Sequence, residues 1–341
     1  MKMIVSNSPD QAWDKWLKDL NGNVYHSVSW AETQSVGNRS PFYFLWLDSL
    51  NQILAIAVGI QRQSSIPLLG RFSKHLEFGT YPANREHSDC SNQNIIQQIH
   101  EYAIQNGFSS LEIQSYYASM RDSDLKLEAF ESSDRLEFLI DLTLTDEQLT
   151  KNLSTNHRRK LNKAKKVDLK HRIGHDLEAM RVLRSLQVRS RDRRIDRGEE
   201  IATTEYSYFD EFGKAYFKRN LGEVHYLTHN GNAVSAAFIS IYNKKAYYVY
   251  GGSNDDGFAM NAPVLLFMNI FSHCRELGCL EFNMGGLPAN SVDKSTQSHG
   301  LYRFKSGFGG LEIPCFSFTD NNLQPGRDFL FKLARKILPG R

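Results

Sequence analysis

The sequence is poor in the residues that announce the commonest specialised sites. It holds four cysteines, Cys90, Cys274, Cys279 and Cys315, in 341 residues. No two are spaced as C-x-x-C, which argues against a zinc knuckle or a thioredoxin-type redox pair. They read as reduced thiols of a reducing cytoplasm. The eleven histidines make no H-x-H or H-E-x-x-H pattern, so no metal site is expected. His171 and His175 flank Gly174, which speaks against a shared helix face. No apolar run reaches the ~18 residues of a membrane-spanning helix. The opening "MKMIVSNSPDQAWDKWL" turns polar too early for a signal peptide. Net charge is only +3, so DNA is not an expected partner and any basic site must be local.

What is present reads as a duplication. The length exceeds one core and favours two domains. "HEYAIQNGFSSLEIQS" (100–115) and "FSHCRELGCLEFNMGG" (271–286) each read as a helix end, a glycine stop and a strand. Gly107 and Gly278 are 171 residues apart, half the chain. Upstream lie alternating strands, "FYFLWLD" and "QILAIAVGIQR" in the first half, "EVHYLTH", "AVSAAFISIYN" and "KAYYVYGGS" in the second. The expectation is an α/β fold of α+β layers. It has domains over 1–145 and 146–318, each a mixed, mostly antiparallel sheet flanked by helices. A tail over 319–341 carries the basic amphipathic helix "RDFLFKLARKILPG".

Basic residues cluster twice. "DEQLTKNLSTNHRRKLNKAKK" reads as helix in two pieces and carries Arg158 and Arg159. "VRSRDRRIDRG" carries Arg189, Arg191, Arg193, Arg194 and Arg197. Both fit a solvated face with ion pairs, and both fit contacts to a diphosphate or an RNA backbone. Two strands end in Gly-Gly, Gly251-Gly252 and Gly285-Gly286, where a ligand can approach the backbone. The helix between them starts near Asn261 or Pro263, and its N-terminus favours an anion. Near the end, "GLYRFKSGFGG" fences Phe304-Lys305 with glycines. Its bland reading is a surface lysine on a glycine-rich turn.

The order "LSTNHRRKLNKAKK", "YGGSNDDGFAMNAPVLL", "CLEFNMGG", "GLYRFKSGFGG" resembles the FemAB-like family of tandem-GNAT transferases, a group that includes BioF2-like acetyltransferases. "FKSGFGG" looks like that family's most characteristic motif. "YHSVSWAET" (25–33) is similar to its N-terminal aromatic-Trp element. The resemblance spans about residues 20–318. It implies two tandem GNAT-like domains and N-acyl transfer to an amine of a cell-envelope precursor, an amino sugar or a peptidoglycan stem peptide. The donor would be aminoacyl-tRNA or acyl-CoA, with no tightly bound cofactor. Partners would be a small-molecule or lipid-linked precursor and tRNA. The location would be cytoplasmic; the C-terminal helix itself fits docking on the protein's own body, the commoner use, or peripheral contact with an anionic membrane surface. The resemblance puts Lys305 at the transfer site as a cation for the oxyanion, with Phe304 drying it. Gly307, Gly309 and Gly310 would turn the backbone around the ligand.

Two departures stand out. "GFAMNAPVLL" lacks the Q/R-x-x-G-x-G/A pyrophosphate loop of standard GNAT enzymes, and Asn283 stands where relatives often carry an acid. No general base has a diagnostic spacing, although Asp255, Asp256, Glu281 and His225 are candidates. The segment 146–200 is too short for a coiled-coil arm that grips tRNA. The alternative function is a non-catalytic binding protein for a nucleotide-sugar, a phospholipid-linked glycan or RNA.

Overall fold

The computed structural model describes residues 1–63, 73–85, 91–116, 127, 129–196 and 206–324. Cys90, Arg197 and the amphipathic helix expected near the C-terminus lie outside the described residues. The chain forms two compact units, Met1–Arg135 with Pro314–Arg341, and Leu136–Ile313. The sequence reading set its divisions at 145/146 and 318/319, whereas two strands, β7 (Glu131–Asp141) and β13 (Leu311–Asp320), run through the observed ones.

The first unit contains β1 (Lys2–Ser6), α1 (Trp13–Asp19), α2 (Val28–Gln34), β2 (Arg39–Leu47), β3 (Ile53–Gln63), β4 (Lys74–Phe78), β5 (Ala83–Asn84), α3 (Asn92–Gln105) and β6 (Ser110–Ile113). Its strand order is β1-β2-β3-β4-β6-β13, with β5 on β3. The β4–β6 pair is parallel, while β1–β2, β2–β3, β3–β4 and β6–β13 are antiparallel. The second unit contains α4 (Asp146–Asn152), α5 (Thr155–Ala164), β8 (Lys170–Gly174), α6 (Leu177–Asp196), α7 (Tyr206–Lys218), β9 (Gly222–His229), β10 (Asn232–Tyr242), β11 (Lys245–Ser253), α8 (Asp255–Ala259), α9 (Ala262–Glu276), β12 (Glu281–Pro288) and α10 (His299–Ser306). Its order is β8-β9-β10-β11-β12-β7, with β11–β12 parallel and β8–β9, β9–β10 and β10–β11 antiparallel. Each unit is thus a mixed, mostly antiparallel sheet with helices against it.

Local chemistry explains the boundaries. Ser27, Ser91, Thr145 and Ser154 each accept a backbone N–H from the first turn of the following helix. Thr145 and Gln148 close a reciprocal capping box on α4. The two crossover helices stop identically. Phe108 N–H reaches back to Ala103 O at 2.9 Å and Cys279 N–H to Cys274 O at 2.9 Å. Gly107 and Gly278 sit between them at φ 70° and 80°, a conformation that glycine adopts without Cβ strain. Each chain then rejoins its sheet, Ser109 N on Lys74 O and Leu280 N on Lys244 O, both at 2.7 Å.

Each unit has its own aromatic core. Phe44, Trp46, Phe78, Ile95 and Ile99 centre the first, and Phe138, Phe267, Phe271, Phe282 and Phe308 the second. Full burial of such a side chain contributes about 1.5–3 kcal/mol. The "GLYRFKSGFGG" stretch corrects the turn reading. His299–Ser306 is helix α10, and Lys305, in its last turn, is 4% exposed rather than on the surface.

Candidate active site

The parallel pair of the second unit opens into a fork. β11 and β12 share register only at Lys245–Glu281, Ala246–Phe282 and Tyr247–Asn283. Yet β11 continues to Ser253 and β12 to Pro288. On β11 the register against β10 slips, with Phe238 opposite Tyr250 and Ile239 opposite Tyr248, so Val249 is the extra residue of a bulge that bends the strand. On β12 Gly285 takes φ 73°, and its N–H donates to Asn283 Oδ1 at 2.7 Å.

Lys305 belongs to this fork. Its Nζ donates to Gly286 O at 3.3 Å and lies 5.8 Å from the Tyr248 ring centre. A side chain at Gly285 would put its Cβ 3.5 Å from Nζ. Burial pushes the Tyr248 hydroxyl up to about 12, so it stays protonated.

Helix α10 is clamped by the start of α5. His157 Nε2 lies 2.9 Å from Phe304 O and donates to it, and Ser154 N–H donates to Gly307 O at 2.9 Å. Burial is the main reason the His157 ring stays neutral, helped by the nearby Lys160 charge. The Phe304 ring packs against His157, Phe267 and Phe308 at 5.6, 5.7 and 5.2 Å between centres. The glycines serve this clamp. A Cβ on Gly307 would fall 2.4 Å from the His157 ring, and one on Gly309 2.1 Å from Asn152 O. One on Gly310 would fall 2.7 Å from Leu139 O. The space around these three glycines is filled by the chain itself.

Asn283 ties the fork to a carboxylate that sequence reasoning missed. Its Nδ2 donates to Glu137 Oε2 at 2.8 Å, while its Oδ1 takes the Gly285 N–H. Glu137 and Asn283 are 1% and 5% exposed. An amide can donate to one partner and accept from the other, whereas an aspartate could only accept. That is a physical reason for Asn283 where an acid was anticipated. Glu137 was hidden because "DRLEFLID" reads as a strand with its charges outward. His157 was hidden among basic neighbours.

The other sequence-nominated residues do not all converge. Gly285, Gly286, Phe304, Lys305 and Gly307 come together. Arg158 turns away and donates to Lys151 O and Leu153 O at 2.9 and 3.1 Å, at the end of α4. Arg159 is exposed and meets Asn156 Oδ1 at 3.3 Å. Arg193 lies at the end of β11, bound to Asp255 Oδ1 at 2.7 Å and Ser253 O at 2.8 Å, over the Phe258 ring. Arg194 lies in α6, but its side chain is outside the described residues. Gly252 is pressed against the Leu186–Gln187 backbone of α6, and Gly251 against the Tyr248 hydroxyl. Among the candidate bases, Glu281 faces Lys245 Nζ at 3.7 Å and His225 is fully buried beside Glu223. The N-terminus of α9 begins at left-handed Asn261 with no side-chain cap, and lies beyond the carboxyl end of β11. Among the described residues no helix is long and apolar enough to cross a membrane.

Residues 217–313 match the FemAB family, a span that includes the whole fork and α10. No curated protein matches the chain in sequence. Among solved structures, FemX superposes with a TM-score of 0.71 at 14% identity, over 97% of this chain and 100% of that one. The C-terminal domain of a putative lysylphosphatidylglycerol synthetase from Agrobacterium fabrum gives 0.53 at 15% identity, over 97% and 98%. A tandem GNAT protein from the clavulanic acid biosynthesis pathway gives 0.51 at 10% identity, over 93% and 98%. At these identities the likeness is one of fold. The family match and the fold together support an acyltransferase-type role. Residues 217–313 are thus a FemAB-family segment, set in the fold shared by FemX and tandem GNAT proteins.

Proposed function

We propose that the protein is an N-acyltransferase that passes an acyl or aminoacyl group to an amine of a cell-envelope precursor, with the reaction centred on Lys305. The observation that carries this reading is the buried ammonium at the mouth of the β11–β12 fork. Attack of an amine on an ester or thioester carbonyl puts negative charge on the carbonyl oxygen. A fixed cation in a site closed to water stabilises that charge without reorganising. Phe304 and the rings around it exclude water and fix α10. Glu137, linked through Asn283 to Gly285, places a buried carboxyl group on the same bonded path. The uncapped start of α9 suits an anionic group of donor or acceptor.

The donor is an aminoacyl-tRNA or an acyl-CoA, and the acceptor an amino sugar, a stem peptide or a lipid-linked amine. Arg159 and Arg193 are proposed to meet the phosphates of either. The lysylphosphatidylglycerol synthetase neighbour, whose name pairs an aminoacyl group with a phospholipid, favours an aminoacyl donor and an acceptor at a membrane surface.

The test is turnover by Lys305→Met and Lys305→Ala, with each donor offered to UDP-amino sugars and stem peptides. Loss of one oxyanion donor costs about 10²–10³ in rate. Retained melting temperature and ligand binding with lost turnover support the reading. Unchanged turnover in folded variants sinks it, and ligand binding with no turnover in the parent chain leaves a binding protein.

A further inference from the structure

A second cluster of reactive side chains lies in the second unit, apart from Lys305. Glu223 and His225 alternate along β9, so both point to the face that α9 covers, and His273 comes down from α9. Glu223 Oε1 lies 2.7 Å from His225 Nε2 and 2.8 Å from His273 Nε2. One ligand-type atom from each of these residues falls within 4.8 Å of the others. His225 is fully buried and Glu223 is 6% exposed.

The hydrogen bonding of this group is lopsided. His273 Nε2 is shut from solvent and, despite its 2.8 Å approach to Glu223, makes no directed hydrogen bond. Its lone-pair direction misses the carboxylate oxygen, as it does when two ligands aim at a point between them. The opposite nitrogen of His225, Nδ1, faces His171 Nε2 at 3.0 Å. That outer bond orients the imidazole, with His171 in the place that a carboxylate, a carbonyl or a water more often takes beside a metal-bound histidine. The free thiols of Cys274 and Cys279 are buried but do not belong to this group. His175 Nε2, on an exposed side chain, stands 3.9 Å from Glu223 Oε2, within reach of a fourth position.

We propose that Glu223, His225 and His273 form a binding site for a divalent transition metal of the zinc class, oriented by His171. Two imidazoles and one carboxylate suit such an ion better than magnesium or calcium, which prefer oxygen. Ligand atoms around tetrahedral zinc sit about 3.4 Å apart at Zn–N distances of about 2.1 Å. Small side-chain rotations therefore admit the ion. Bound there, it fastens the C-terminal part of α9 to β9. Phe267 of the same helix packs against Phe304, so the ion steadies the support of Lys305. The site is structural, and it stands independently of the acyl-transfer reading.

The experiment takes the full chain, stripped with a chelator, and titrates it with zinc sulfate and with cobalt(II). The expected result is one zinc per chain, a melting temperature raised by zinc but not magnesium, and a visible cobalt spectrum bleached by zinc. His273→Asn and Glu223→Gln should lose stoichiometric uptake, and His171→Asn should weaken it about 10–100-fold. His273 is partly exposed, so His273→Asn should fold even where Glu223→Gln does not. No uptake by the parent chain, or equal uptake by folded His273→Asn, overturns the proposal.

Discussion

The two parallel strand pairs are built to one plan and differ in how far they stay closed. In the first unit β4 and β6 keep register from His75–Ser110 to Phe78–Ile113, and bonding continues to Gln114 N on Phe78 O and Tyr116 N on Gly79 O. In the second, register stops after Tyr247–Asn283. What fills each end differs accordingly. The aromatic-Trp element "YHSVSW" plugs the closed pair. Tyr25 lies against Gly79 and stacks on Tyr116, while Asn23 donates to Thr80 Oγ1 at 3.0 Å. His26 joins β3 to the loop after β4, accepting from Val58 N–H at 2.9 Å and donating to Tyr81 O at 2.8 Å. The crossover helices differ as well, since Ser91 caps α3 and no side chain caps α9. One copy is sealed by neutral groups, and the other is held open beside a buried cation. A duplicated fold can thus divide its labour by where a pair of strands stops bonding.

If this contrast is functional, turnover should be lost at Lys305 and untouched by Tyr25→Phe, which leaves the plug filled. The largest structural effect is expected at Gly309. Gly309→Ala combines a left-handed backbone at φ 74° with a 2.1 Å clash on Asn152 O, at a cost of about 3 kcal/mol or more. Gly231→Ala, at φ 80° but in open space, should cost only about 1 kcal/mol. Equal melting temperatures for the two variants would show that the glycine clamp on α10 is dispensable.

Next comes the neutral plug. Burial holds the His26 imidazole at about 4 against an ordinary 6.5. The unfolded chain therefore binds a proton that the folded unit refuses. This contribution is complete above about pH 6.5 and falls towards about pH 4, by about 3 kcal/mol at most. His26→Gln should flatten that part of the melting temperature's pH dependence, and an unaltered slope counts against the plug. At the fork, Asn283→Asp sets a second carboxylate against Glu137, 2.8 Å away in the parent. The expected loss is about 1–3 kcal/mol at pH 7, eased at pH 5 as a carboxyl takes up a proton. Denaturation midpoints at the two pH values check it. Arg193→Ala should matter least to stability. Its partner Asp255 is 85% exposed, and such pairs are worth under about 1 kcal/mol.

Much of this architecture was legible in the sequence. Gly107 and Gly278 mark equivalent helix stops because a left-handed cap favours glycine, and alternating runs mark β2, β3, β9, β10 and β11. The site was legible only where it is local. Phe304 and Lys305 stand in one motif, but Glu137 and Asn283 meet across 146 residues and His157 and Phe304 across 147. No periodicity records such pairs, and a buried glutamate looks like a surface one until its partner is seen. The motif glycines were assigned to a ligand because the sequence does not say which chain will press on them.

The strand β13 has one more consequence, for the order in which the protein can assemble. The first unit's core includes Phe318 and Leu323, and its bonds include His100 to Asp320, 220 residues apart. A ribosome releases the N-terminal two-fifths of the chain long before these residues exist. The second unit lies wholly between them, so it can complete its core first, while the earlier-made segment waits for its last strand. Removing residues 314–324 should therefore unravel the beginning of the protein and leave the middle folded.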